Sequence, residues 1–263
     1  MSSKVDFFIV GTQKGGTTAL DRYLRTHPQI QMARTKEVHH FDNEDIAWSD
    51  PDHEQLQLQY DWTIPDVLRG EATPIYLYWP NSLSRLRAYN HQAKLIVSLR
   101  HPTFRAHSHW RMETRRGWDT LSFEDAVSPL GRDRVKETPS AARIYSYVER
   151  SCYASQIRVL LQNFPRHQVL FLRVDSLWSE PSGSLAQVEQ FLGVDAAVSS
   201  VMQPSYVDVA ASVSEARTTI PCDVRAQLDK LFKPEIEEAA KLTGMDLSDW
   251  LSSSYVENMM PLP

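Results

Sequence analysis

At 263 residues the chain is long enough for one substantial core and short for two independent ones, so a single domain over 1–263 is expected. Its 42% apolar and 23% charged residues are ordinary globular usage, which excludes a disordered or fibrous chain. A formal charge of −5 argues against nonspecific polynucleotide binding, so any phosphate site must be built locally from a few residues.

The N-terminal MSSKVDFFIVG has an apolar run too short for a membrane span or a secretory signal, which predicts a cytoplasmic chain without a membrane partner. Cys152 and Cys222 are the only cysteines and read as free thiols of a reducing compartment.

In chain order, Val5–Val10 reads as a buried strand ending at Gly11, and Thr17–Thr26 as the start of a helix with Leu20, Tyr23 and Leu24 on one face. Residues 42–65 mix charges, aromatics and prolines and read as a loop over a pocket. Lys94–Leu99, KLIVSL, is the next core strand. Residues 117–139 are polar around the amphipathic piece Leu121–Val127 and read as a second pocket-covering loop. Ser151–Phe164 has an apolar face of Tyr153, Ile157, Leu160, Leu161 and Phe164. Val169–Val174 is another strand, Leu185–Leu192 a packing helix stopped by Gly193, and Asp223–Leu242 repeats apolar positions at helical spacing. Short strands alternating with helices predict an α/β fold with a central, mostly parallel sheet flanked by helices, a P-loop-like three-layer arrangement.

The segment GTQKGGTT sets Gly11, Gly15 and Gly16 around Lys14 between a strand and a helix. Backbone N–H groups, the hydroxyls of Thr17 and Thr18 and a helix N-terminus can there surround a phosphate-like group, with Lys14 as a compact positive charge. Lys14 precedes the paired glycines instead of following them, unlike the nucleoside triphosphate loop, which makes an ATPase or GTPase less attractive. A nucleotide kinase or hydrolase, and a noncatalytic nucleotide-binding protein, stay open as alternatives.

GTQKGGTT resembles the 5′-phosphosulfate loop of sulfotransferases that use 3′-phosphoadenosine 5′-phosphosulfate (PAPS), with Lys14 at the catalytic lysine position. LIVSLRHPTFRAHSHW is similar to that family's 3′-phosphate site, with Arg100 and Ser108 at the two binding positions and Pro102 and Arg105 at further positions of the motif. TKEVHHFD resembles the segment that carries the proton acceptor in the carbohydrate-sulfating branch and its bacterial relatives, here Glu37. GEATPIY looks like a recurrent segment near the acceptor cleft and contributes Glu71. The likeness continues through ERSCYASQIRVLLQNFP, VLFLRVDSL and QFLGV, with Ser151 standing where the family often has glycine.

The resemblance implies a phosphate cradle of Gln13, Lys14, Gly15, Gly16, Thr17 and Thr18, and a 3′-phosphate site of Arg100 and Ser108 joined by Arg217. It implies Lys14 and Glu37 as the principal catalytic groups, with Glu71 in support. His39 and His40 are alternative proton carriers, His40 being named with the catalytic set, and Asp42 is a candidate for orienting one imidazole. The implied reaction is direct in-line transfer of a sulfuryl group from PAPS to an acceptor hydroxyl, less readily an amine, with 3′-phosphoadenosine 5′-phosphate (PAP) as product and no metal. The acceptor would be a carbohydrate or another small molecule, and a homodimer is compatible with the C-terminal helix.

Overall fold

The computed structural model describes residues 4–196 and 220–257. The described residues divide into two compact units, one of 4–99 and 159–196, the other of 100–158 and 220–257.

The first unit is built on a five-stranded sheet of order β2-β3-β1-β4-β5, with β1 Phe7–Gly11, β2 Ile30–Met32, β3 Leu68–Ala72, β4 Lys94–Leu99 and β5 Val169–Arg173. Every pairing is parallel, with Phe7 opposite both Gly70 and Lys94, and Leu95 opposite Val169. β1 and β4 are buried almost throughout, which is why they read as continuous apolar runs. Helix α1 (Thr17–Arg25) turns Leu20, Tyr23 and Leu24 into a core shared with Phe7, Ile9, Ile96 and Leu172. Truncating a residue such as Leu24 there costs about 2–5 kcal/mol.

β2 and β3 were not foreseen from the sequence. β3, LRGEA, carries two charged residues, yet Gly70 and Glu71 are buried. A Cβ on Gly70 would lie 2.1 Å from the Phe7 ring, so only glycine lets β3 pair here beside that phenyl group. Strand order reverses between β3 and β4 around β1, so the C-terminal ends of β1 and β4 form the switch point at which open parallel sheets bind ligands. Thr12 secures that end, its N–H and hydroxyl both donating to the Ser98 carbonyl at 3.0 and 2.9 Å. The stretch 42–65 contains the short helix α2 (Glu54–Gln57), and α3 (Ser82–Tyr89) follows β3.

The second unit is helical. α4 (Pro102–Arg115) begins with proline at its first turn and packs against the C-terminal helix Cys222–Thr243. Residues 117–139, expected as a loop, contain α5 (Phe123–Val127) and α6 (Pro129–Asp133), whose first turns are capped by the hydroxyls of Ser122 and Ser128. Arg105, fully buried, donates to the Ser151 hydroxyl at 2.7 Å and to the Tyr147 carbonyl. Ser151 does not adopt a positive φ, so replacing the family's glycine carries no backbone strain, and its side chain instead completes the Arg105 site. Both cysteines are free thiols. Among the described residues no helix is long and apolar enough to cross a membrane.

Candidate active site

The first part of the site is the turn between β1 and α1. Lys14 and Gly16 have φ of 69° and 79°, so the chain reverses through two left-handed residues before the helix starts. Gly15 closes the turn, its N–H donating to the Thr12 carbonyl at 2.9 Å. A Cβ on Gly15 would stand 2.4 Å from the Ser98 carbonyl oxygen and 2.6 Å from Thr12 Oγ1, and one on Gly16 2.7 Å from Val174 Cγ2. These contacts hold the backbone close to the strand ends and direct the loop around the start of α1.

That helix start carries no side-chain cap and no acidic residue in its first turn, while Arg22 and Arg25 occupy its last. The first N–H groups of a helix lack intrahelical acceptors, and the helix dipole adds partial positive charge beside them. Gln13 and Lys14 are half-buried, Thr17 is buried and Thr18 is exposed. The turn thus combines backbone donors and an ammonium at a helix N-terminus, an arrangement suited to an anion, on a backbone that the close contacts at Gly15 and Gly16 leave no room to decorate.

The second part carries acid–base groups. Glu37 has φ 63° and His39 φ 55°, which turns both side chains toward each other. Lys36 Nζ donates to Glu37 Oε1 at 2.7 Å, and His39 Nε2 lies 3.6 Å from Glu37 Oε2. On its other side His39 Nδ1 donates to Asp42 Oδ2 at 2.9 Å, and the Asp42 side chain is completely buried. Burial alone would raise the Glu37 carboxyl, but His39 and Lys36 more than reverse this and hold it at about 2. Asp42 and then Glu37 raise the His39 imidazole to about 9 against the opposing effect of burial. At neutral pH the arrangement is a carboxylate held by an imidazolium whose far nitrogen rests on a buried carboxylate.

His40 is elsewhere. It is 3% exposed, with Nε2 2.8 Å from His53 Nδ1 and its ring against Phe41 and Trp48. Burial and then His53 push it down to about 4, so it is neutral at physiological pH. Of the two adjacent histidines, the structure brings His39 to Glu37. Sequence reasoning left that choice open because the deciding backbone angles are invisible in it.

Glu71 is also set back, with no exposed surface. Its Oε1 accepts from the Thr73 hydroxyl and from the Val38 N–H at 3.3 Å, while Oε2 has no hydrogen-bond partner among the described residues. Burial pushes this carboxyl up to about 7, the Thr73 and Val38 bonds offsetting part of the rise.

In the second unit Arg100 follows directly after β4, and Ser108 is half-buried in the second turn of α4. Arg100 Nε and Nη2 donate to the two oxygens of Glu257 at 2.7 and 2.6 Å. A carboxylate in that fork occupies the edge that would meet two oxygens of a phosphate, so the guanidinium fits an anion bound bidentately. Arg217 lies outside the described residues.

A model of the sulfotransferase domain matches residues 4–212. Heparan sulfate glucosamine 3-O-sulfotransferase 3B1 of Mus musculus is 31% identical over 193 residues, covering 71% of this chain and 45% of that protein. Heparan sulfate glucosamine 3-O-sulfotransferase 6 of Homo sapiens is 32% identical over 193 residues, covering 71% and 51%. The chain therefore spans about half the length of these curated relatives. The crystal structure of a sulfotransferase from Alicyclobacillus acidocaldarius superposes with a TM-score of 0.77 at 26% identity, covering 95% of this chain and 100% of that one. With a parallel sheet, a glycine-closed turn after its first strand and a domain match over most of its length, the chain belongs to the sulfotransferase-domain family.

Proposed function

We propose that the chain transfers a sulfuryl group from PAPS to a hydroxyl of a carbohydrate or other small-molecule acceptor. The observation that carries this reading is Glu37 set between Lys36 Nζ at 2.7 Å and His39 Nε2 at 3.6 Å, with His39 Nδ1 2.9 Å from Asp42, in a unit that also carries the glycine-closed turn around Lys14. PAPS supplies the activated sulfuryl group, and PAP is what remains of it. The turn 12–18 would hold the 5′-phosphosulfate through N–H groups, with Lys14 offsetting negative charge as it gathers on the leaving phosphate. Arg100 and Ser108 would hold the 3′-phosphate, which ATP and ADP lack.

Glu37 would accept the acceptor's proton. A carboxylate whose pKa is about 2 is a weak base for a free alcohol, so the transfer must come late, as the forming O–S bond acidifies the hydroxyl. His39 keeps Glu37 ionised and aimed, and Asp42 fixes the imidazole through Nδ1. The heparan sulfate relatives favour a sugar hydroxyl as the acceptor.

Calorimetry with PAP against ADP tests the donor assignment, followed by radiolabelled transfer from PAPS to a panel of glucosamine-containing oligosaccharides and simple alcohols. Selective binding of PAP with labelled product on a hydroxyl is the expected outcome. Equal binding of the two nucleotides would overturn the proposal.

A further inference from the structure

Parallel pairing of β2 with β3 ends at Met32 and Gly70, followed by two more backbone bonds, from Ala33 N–H to Gly70 O at 2.8 Å and from Glu37 N–H to Ala72 O at 3.1 Å. Beyond that point the chain no longer runs as a strand, yet the next three N–H groups all find side-chain acceptors, on Glu71 near the end of β3 and on Thr73 and Tyr76 just after it. Val38 N–H donates to Glu71 Oε1 at 3.3 Å, His39 N–H to Thr73 Oγ1 at 3.4 Å and His40 N–H to the Tyr76 hydroxyl at 2.9 Å. Side-chain oxygens have taken over from the strand backbone as acceptors. His39, held in this way, and Glu37, held one step earlier by the Ala72 carbonyl, adopt left-handed conformations that non-glycine residues keep only where their surroundings impose them.

Glu71 is an unusual choice for this task. A fully buried carboxyl is costly, and one of its oxygens has no partner among the described residues. Its other oxygen is where two donors converge, one from the Thr73 side chain and one from the strap backbone. Thr73 links the two, giving its hydroxyl proton to Glu71 while its oxygen accepts from His39 N–H. We propose that Glu71 and Thr73 are positioning residues that hold the 37–39 strap in the conformation that brings His39 between Glu37 and Asp42. This inference rests on the sulfotransferase reading only for its kinetic consequence; the positioning itself is a property of the free protein.

The test is a histidine titration by NMR on the full chain with ring-labelled histidine, the His39 signal being assigned by its loss in His39→Asn. In the wild type His39 should titrate near 9. In Thr73→Val, which keeps the side-chain shape, and in Glu71→Leu, its midpoint should fall by about one pH unit or more toward the ordinary value, and Thr73→Ser should restore it. In transfer assays Thr73→Val should lower kcat by about tenfold or more, with PAP affinity held within about twofold, and Thr73→Ser should recover it. If Glu71→Leu does not fold, the Thr73 pair carries the test alone. A His39 midpoint already ordinary in the wild type, or unmoved by Thr73→Val, overturns the proposal. A midpoint that moves as expected in a protein that binds PAP no better than ADP supports the positioning role and sinks the donor assignment instead.

Discussion

Arg100 cannot present the same edge to Glu257 and to a 3′-phosphate, so donor binding at that residue must displace a carboxylate the protein already supplies. The two side chains are 12% and 6% exposed, which places the pair out of bulk water. At an effective dielectric near 20 two unit charges about 4 Å apart attract by roughly 4 kcal/mol, and part of that is returned as hydration when Glu257 leaves. A net competition of about 1.5–3 kcal/mol, typical of hydrogen bonds to charged groups, remains. Glu257→Gln keeps the shape and one acceptor oxygen but removes the charge. It should therefore tighten PAP binding by about 10- to 100-fold in calorimetry while leaving ADP unchanged, since ADP has no 3′-phosphate. The same variant should be less stable than wild type without nucleotide, because Arg100 then has a poorer partner, and should gain more stability when PAP is added. An unchanged PAP affinity, or an equal gain for PAP and ADP, would refute the argument that Glu257 and the 3′-phosphate share one guanidinium edge.

Lys14 has a left-handed backbone, so Lys14→Gly removes the ammonium without adding strain. Single-turnover transfer should fall by about 10²–10³, the scale of losing one donor to developing charge, and retention of more than a tenth of the rate would remove Lys14 from the chemistry. Gly15→Ala forces a methyl to within 2.4 Å of the Ser98 carbonyl oxygen, so chemical denaturation should show a loss of about 1–3 kcal/mol together with weakened PAP binding. The stability added by the Glu37–His39–Asp42 group should have a definite pH window. The folded pKa of Glu37 lies below its ordinary 4.5, so its contribution is present above that value and lost as pH falls through about 2. The folded pKa of His39 lies above its ordinary 6.5, so its contribution is full below 6.5 and lost as pH rises through about 9. The stability difference between wild type and His39→Asn, measured by urea unfolding across pH, should be largest between 4.5 and 6.5 and shrink toward pH 9; growth with rising pH would contradict the assignment.

The parts of this molecule that were legible in the sequence are those whose signal is local. β1, β4 and β5 are short apolar runs, α1 shows its face at Leu20, Tyr23 and Leu24, and Gly15 and Gly16 announce a turn that must approach its neighbours closely. β3 escaped because what makes LRGEA a strand is its pairing with β1 and β2, and its glycine is fixed by a phenyl ring that lies far away in sequence. The helices within 117–139 did leave a local trace, since Ser122 and Ser128 each stand three residues before the N–H they cap.

The acid–base group sits at the boundary between these cases. Glu37, His39 and Asp42 were all in view as residue types, but nothing in the order Glu-Val-His-His-Phe-Asp separates His39 from His40. The choice is made by two left-handed backbone angles, and these are sustained by acceptors from a segment more than thirty positions further along the chain. A sequence can therefore name the candidate acid–base groups while concealing their alignment, because the strap that carries them is tied to Glu71 and Thr73, which in isolation look like a charged residue and a turn. Local rules fail at this point for a physical reason: the strap adopts a conformation its own residues disfavour, and only tertiary contacts can hold it there.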